Sequence, residues 1–164
     1  MNKALNEQLS MEIAQSIKSK ANKPFNNAYK AVLATEKAKY VQGFLAVAQM
    51  PEPIEHGWIE LSDAAVNDSV GSIIDPTLPH LHKTPEELWY FAAQSFSIKQ
   101  LQAIIEESKE DYPEDDPLPI YGDAPYEYYG DVMLGGQEYL AAYQAAEAKC
   151  KELKASHMIE INQD

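Results

Sequence analysis

Residues 55–78, EHGWIELSDAAVNDSVGSIIDPTL, decide the fold that the sequence predicts. HGWIEL and SIIDPTL are short and rich in β-branched and aromatic residues, and a polar segment separates them, which is typical of two strands joined by a loop. The second strand is expected to end at Asp75, because Pro76 has no N–H to donate to a strand ladder. His56 begins one strand and Asp75 ends the next, and antiparallel pairing places those two positions side by side.

The segments before this pair of strands predict helices and a further strand. Apolar residues recur every four positions from Leu5 to Ile17, which indicates one face of an amphipathic helix. A second helix is expected to follow Asn22, because Pro24 suits the first turn of a helix. Residues 39–50, KYVQGFLAVAQM, are rich in β-forming residues and are expected to form the first strand of a three-stranded antiparallel meander.

Later segments complete the predicted fold class, which is α+β. Residues 97–110 and 135–154 have helical periodicity. The prediction is one domain, residues 1–164, with an antiparallel sheet of three to five strands packed by N-terminal helices and later helices. Residues 111–131 are crowded with proline, tyrosine and acidic residues and are expected to form an extended loop. Residues 155–164 are expected to be a disordered tail or a short strand.

The charge of the chain bears on its partners. The formal net charge is -13, and all 13 basic residues are lysines. Phosphate recognition favours the arginine fork, and a negative field repels nucleic acid, so direct nucleic-acid binding is not expected. From Glu106 to Asp131 there are ten acidic residues and one lysine, which suits a protein partner with a basic surface, although a solvated loop has the same composition. The binding residues expected in this segment are Asp115, Asp116, Tyr121 and Tyr126.

Other sequence features concern location and cofactors. No run of about 18 or more apolar residues is present, so no membrane association is expected. The N-terminal residues lack the apolar core of a signal peptide, which favours a cytoplasmic protein. The single cysteine, Cys150, excludes an internal disulfide and any zinc site with several cysteines. No cofactor is expected.

His56 and Asp75 are two of the three residues that a cysteine-dependent acyl-transfer site needs. In such a site a thiolate attacks, a histidine transfers the proton, and an acid orients the histidine. Trp58 lies two residues beyond His56 and therefore on the same face of the strand, where it could form a wall of the site.

The order of these motifs resembles small bacterial and phage proteins of the papain-like, transglutaminase-like superfamily. The shared motifs are YVQGFLAV from Tyr40, EHGW from Glu55 and IIDPT from Ile73, and the resemblance spans residues 22–100. It implies a catalytic cysteine at the start of the preceding helix, in a Cys-aromatic-x-Asn-Ala pattern.

In this chain the position of that cysteine is occupied by proline. PFNNA, residues 24–28, keeps the aromatic residue, Asn27 and the alanine, but it begins with Pro24. Proline has no nucleophilic side-chain atom. The resemblance therefore implies a pseudoenzyme: a non-catalytic binding protein, encoded by a phage and acting on a host protein through an acidic surface. Its remaining cleft would comprise Pro24, Asn27, His56, Trp58 and Asp75, used for structure or for ligand capture.

Two enzymatic alternatives stay open at this level. The first is a cysteine-dependent amidase, peptidase or acyltransferase that uses Cys150, although a cysteine on the apolar stripe of a helix is usually a small buried hydrophobe. The second is a metal-dependent hydrolase, because His80 and His82 together with His56 and Asp75 would supply four ligands. The flanking prolines of LPHLHKTP favour a loop, so no metal site is predicted.

Overall fold

The computed structural model describes residues 4–61, 72–114, 117–118 and 136–162, with the side chains of residues 136 and 156–162 left aside. The strands are β1 (Ala4–Leu5), β2 (Ala38–Val47), β3 (Ile54–Leu61), β4 (Ser72–Ile74) and β5 (Leu88–Phe96). The helices are α1 (Glu7–Ile17), α2 (Pro24–Ala34), α3 (Leu78–Leu81), α4 (Ile98–Asp111) and α5 (Gly136–Asn162), with a 3-10 turn at Pro85–Glu87. The predicted α+β class is confirmed.

The sheet contains the predicted meander and two additional strands. The strand order is β1-β4-β3-β2-β5, and β2, β3 and β4 pair antiparallel in sequence order. Strand β5 pairs antiparallel with the other side of β2 and forms one edge of the sheet. The opposite edge is β1, which pairs parallel with β4, so the sheet is mixed where the sequence predicted an antiparallel one. A two-residue strand has no detectable periodicity, and β1 exists because the edge of β4 offers it a partner.

Local signals explain where the helices begin and end. The Asn6 side chain accepts a hydrogen bond from the Leu9 N–H at the start of α1, and Lys18 ends that helix in the left-handed region. Helix α2 begins at Pro24, as its fixed φ favours. At the start of α4 a capping box joins Ser97 with Gln100.

The two faces of the sheet have different coverings. The helical face carries Tyr40, Ile59 and Ile74, which pack in one cluster with residues of α2 and α4. Helix α5 covers the same face farther along, where Tyr139 packs edge-on against Phe44 at a centroid distance of 5.5 Å. The opposite face, called the histidine face below, carries Val41, His56, Trp58 and Tyr90, because cross-strand partners share a face.

The end of the described chain differs from its prediction. Helix α5 continues through Asn162, so the disordered tail or short strand predicted for residues 155–164 is wrong over 155–162. Of the loop predicted for residues 111–131, Asp111 ends α4, and most of the remainder lies outside the described residues. Within the part of the chain that the structure covers, no helix is both long enough and apolar enough to cross a bilayer.

Candidate functional site

His56 and Asp75 meet on the histidine face, where the antiparallel meander was expected to bring them together. His56 is the third residue of β3 and lies opposite Gly43, and Asp75 directly follows β4. The His56 Nε2 and Asp75 Oδ2 atoms are 2.8 Å apart. Both residues are buried, with 1% and 0% of their surface exposed. The expected hydrogen bond is therefore present and shielded from water.

Asp75 accepts more hydrogen bonds than a catalytic triad requires. Its Oδ2 atom also accepts from the Tyr90 hydroxyl at 2.7 Å, and its Oδ1 atom accepts from the backbone N–H of Thr77 at 2.9 Å. Its own N–H donates to Ser10 Oγ at 2.9 Å. Each interaction reaches Asp75 from a different part of the chain. The carboxylate consequently ties β3, β5 and the turn after β4 together, and the Asp75 N–H adds α1.

Aromatic rings surround the histidine. The rings of His56 and Trp58 are stacked with a centroid distance of 6.2 Å, and Trp58 meets Tyr90 edge-on at 5.1 Å. Trp58 is fully buried, and its indole N–H donates to Glu60 Oε2 at 3.1 Å. Trp58 therefore forms the expected wall beside His56, and it orients the imidazole by packing.

Tyr90 contributes a group that sequence reasoning missed. Burial raises the pKa of Tyr90 well above its ordinary value of 10.0, and the negative charge of Asp75 and the hydrogen bond to it raise the pKa further. The phenol therefore keeps its proton and donates to the carboxylate. Tyr90 was missed because its role depends on β5 lying beside β2, and the sequence around residue 90 is compatible with helix and strand alike.

Replacing Tyr90 by phenylalanine is expected to lower the free energy of unfolding by about 2 kcal/mol at neutral pH, through loss of a hydrogen bond to a charged group. A raised folded-state pKa stabilises the fold below the unfolded pKa, and that stabilisation is lost as pH rises above 10. The difference between wild type and Tyr90→Phe should therefore shrink toward about pH 11. Urea denaturation of both proteins across this range measures it. A difference that stays constant or grows with pH would contradict the assignment.

Asn27 belongs to the same network, but its side-chain amide forms hydrogen bonds within the protein and has little remaining capacity to bind a ligand. Its side-chain amide donates to the carbonyl of Lys20 at 2.8 Å and to Thr77 Oγ1 at 2.9 Å. Its Oδ1 atom accepts from the N–H of Lys20 at 3.0 Å. Asn27 is buried, and these bonds fasten the start of α2 to the α1–α2 connection and to the turn that carries Asp75.

Pro24 does not share a cleft with His56. A Cβ atom added to Gly57 would lie 3.0 Å from Phe25 Cδ1 and 3.4 Å from the carbonyl oxygen of Pro24, so the start of α2 packs against the helical face at Gly57. Successive side chains of a strand point to opposite faces, and the His56 side chain therefore points away from Pro24. A single cleft was expected to contain Pro24, His56 and Asp75. Strand geometry corrects this expectation, because Pro24 and the His56 side chain lie on opposite faces of the sheet.

Cys150 lies at a different site. It is buried on α5 and lines a pocket of about 430 Å³ together with Gln49, Met50 and Pro51 of the β2–β3 connection. Burial raises the pKa of the Cys150 thiol, and the charges of Glu147 and Glu52 raise it further. A catalytic cysteine needs the opposite, a lowered pKa beside a base. The environment of Cys150 is that of a structural thiol.

The four-residue metal site does not assemble. His80 Nε2 lies 3.1 Å from Ser19 Oγ and 3.0 Å from the carbonyl oxygen of Ser19, so this histidine binds the chain just after α1. His82 follows α3 in the left-handed region, with φ of 55°. Among the described residues, no group of three or more histidine, cysteine, aspartate or glutamate side chains is arranged to hold a metal ion.

The acidic surface is described only in part. Asp115, Asp116, Tyr121 and Tyr126 lie outside the described residues. The C-terminal part of α4 and the residues after it are described, and the acidic side chains there are exposed: Glu106, Glu107, Glu110, Asp111 and Glu114. Tyr112 lies among them with 49% of its surface exposed. These five acidic residues are called the α4 acidic surface below.

The likeness to papain-like and transglutaminase-like proteins rests on the order of short motifs in this chain. A scan of family models and searches of curated proteins and of solved structures found no match to it. The site is therefore interpreted from its own geometry.

Proposed function

We propose that this protein is a non-catalytic binding protein that carries a histidine–aspartate pair without a nucleophile. The observation that supports this most directly is the number of hydrogen bonds that the buried Asp75 carboxylate accepts from other parts of the fold. Its two carboxylate oxygens accept hydrogen bonds from His56, Tyr90 and the Thr77 N–H, and it is fully buried. A pair that joins so many elements contributes to stability, whatever chemistry the same residue types perform elsewhere.

The second nitrogen of His56 supports the same conclusion. In a working cysteine or serine site the histidine holds the acid with one nitrogen and the nucleophile with the other. His56 Nε2 contacts Asp75, and Nδ1 forms no hydrogen bond with any residue in the described parts of the chain. Pro24 stands where the resemblance implies a cysteine, and it packs on the other side of the sheet.

The charge of the molecule indicates the kind of partner. With a net charge of -13 the protein attracts cationic surfaces and repels anionic ones. The α4 acidic surface concentrates exposed carboxylates, and the exposed Tyr112 ring adds apolar contact area to it. A protein with a basic surface is the partner that these features favour.

Charge reversal tests this binding function. The triple variant Glu106→Lys, Glu107→Lys and Glu110→Lys should lose the proteins that the immobilised wild type retains from a lysate, as quantified by mass spectrometry. The matched control reverses Glu7, Glu12 and Glu138, which are exposed on α1 and α5 and give the same change in net charge. The control should keep those proteins at low salt.

Two results of this experiment would contradict the proposal. Equal loss in both triple variants would mean that net charge alone causes retention. A wild type that retains no basic protein would remove the case for a binding function.

The cysteine-dependent alternative makes a separate prediction. A thiol-directed probe should label native Cys150 at least about tenfold more slowly than the urea-unfolded chain, because the thiol is buried and its pKa is raised. Rapid labelling of the native protein at neutral pH, lost in a folded His56→Ala variant, would favour an enzyme and contradict the proposal.

A further inference from the structure

A groove of about 650 Å³ lies between the two edges of the curled sheet. Leu5 of the edge strand β1 and Tyr90 of the edge strand β5 pack against the same buried cluster of Val41, Trp58 and Ile73. The two edges therefore approach each other across the histidine face. The described residues that line the groove include Leu5, Trp58, Glu60, Ile73, Glu86 and the run from Leu88 to Ala92.

One side of this groove is formed by the backbone of an edge strand. Five successive residues, Leu88 to Ala92, line it, although side chains of a strand alternate between faces. A run of consecutive residues means that the groove follows the strand itself. Among the strands that the structure describes, β5 pairs with β2 alone. The outward N–H and C=O groups of such an edge can pair with an added strand.

The chemistry of the groove selects the added strand. Leu5 and Tyr90 are half-buried and offer apolar contacts, above a floor of the buried residues Trp58, Ile73 and Leu88. The charged side chains among its described lining residues are both acidic, Glu60 and Glu86. Glu60 already accepts the Trp58 indole N–H, whereas Glu86 is exposed. An extended segment with apolar side chains beside Leu5 and Tyr90 and a basic side chain near the Glu86 carboxylate would match this lining.

We propose that the β5 edge binds an extended, lysine- or arginine-bearing segment of a protein partner by strand addition. This inference rests on the proposed binding function and specifies it, because it names the part of the partner that is recognised. Main-chain hydrogen bonds to β5 supply affinity, while the half-buried apolar side chains and the Glu86 carboxylate supply specificity. The site is separate from the α4 acidic surface, so the two can be tested independently.

Synthetic peptides of nine residues, the length of β5, provide the probes. The first alternates valine with lysine, the second replaces lysine with glutamate, and the third is the lysine peptide with alternate backbone nitrogens methylated. Fluorescence anisotropy should show binding of the first peptide and a loss of at least about tenfold for each of the others. Amide hydrogen exchange should slow along β5 when the first peptide binds. Equal binding of the methylated peptide would overturn strand addition.

A matched pair of variants separates the groove from general attraction. Glu86→Lys should weaken binding of the lysine peptide by about threefold or more, whereas Glu138→Lys on α5 should leave it unchanged. Both glutamates are exposed, so neither variant disturbs the core. Equal weakening by both variants, or none by Glu86→Lys, would overturn the site even if the α4 charge reversal abolishes partner capture. Intact groove binding without α4-dependent capture would overturn only the α4 acidic surface.

Discussion

Replacement of Asp75 by alanine is expected to lower the free energy of unfolding by about 3–5 kcal/mol, because it leaves three hydrogen-bond donors without their buried acceptor. The change removes the acceptor for His56 Nε2, for the Tyr90 hydroxyl and for the Thr77 N–H at once. The histidine is almost fully buried, so water cannot readily replace the lost partner. Urea denaturation followed by tryptophan fluorescence measures the effect.

Two control variants make the Asp75 experiment specific. Asp111→Ala removes an exposed carboxylate at the end of α4 and should change stability by less than about 0.5 kcal/mol. Asp75→Asn keeps the shape of the side chain and one acceptor oxygen, but it replaces the other oxygen with an amide group that faces existing donors. The loss of stability in Asp75→Asn should therefore lie between the losses in Asp111→Ala and Asp75→Ala. An Asp75→Ala protein within about 1 kcal/mol of wild type would refute the structural role assigned to this carboxylate.

The second large effect is expected from Gly43→Ala. A Cβ atom at residue 43 would lie 2.1 Å from the Phe91 carbonyl oxygen and 2.8 Å from the Ala93 nitrogen. These are backbone atoms of the paired strand β5, and they cannot move without breaking the β2–β5 ladder. The ladder is irregular here, because its register shifts between Gln42 and Gly43. We expect a loss of about 3 kcal/mol or more, beyond the ordinary cost of overpacking.

Gly57→Ala is the matched control for this clash. Its Cβ atom would meet Phe25 Cδ1 at 3.0 Å, which belongs to a side chain that can rotate, and the nearest backbone atoms lie at 3.3 and 3.4 Å. A loss of about 1 kcal/mol or less is expected, because alanine is also the better residue in a strand. Hydrogen exchange should show faster opening of β5 in Gly43→Ala only. Equal destabilisation by both variants would contradict the close approach of β5 to Gly43.

Features that depend on a few neighbouring residues could be predicted from the sequence. Ser97 caps α4, and Thr84 and Glu87 form a capping box, both of which are recognisable sequence patterns. Each cap is completed within three positions of the chain, so no distant residue has to be known. The adjacency of His56 and Asp75 was predictable for a related reason, because strands that follow one another in the sequence tend to pair as neighbours.

The remainder of the site depends on residues that are distant in the sequence. Ser10 is 65 positions from Asp75 in the sequence, and Tyr90 is 15 positions from it. Both bind Asp75 from elements whose placement no local pattern reveals. The pattern of β5 is also consistent with a helix, and its pairing with β2 decides between the two. The missed residues were therefore those whose role arises from packing between distant elements.

By itself, the sequence determined the α+β class, the meander β2–β3–β4 and the meeting of His56 with Asp75, because hydrophobic alternation, turn residues and short connections act locally. Only the tertiary structure decided that Pro24 and His56 lie on opposite faces, and that Asp75 is buried as a junction between elements. It also placed β5 at an edge beside an apolar and acidic groove. These properties depend on which strand pairs with which, and on the face that each helix covers. Both are set by the burial of apolar surface over the whole chain.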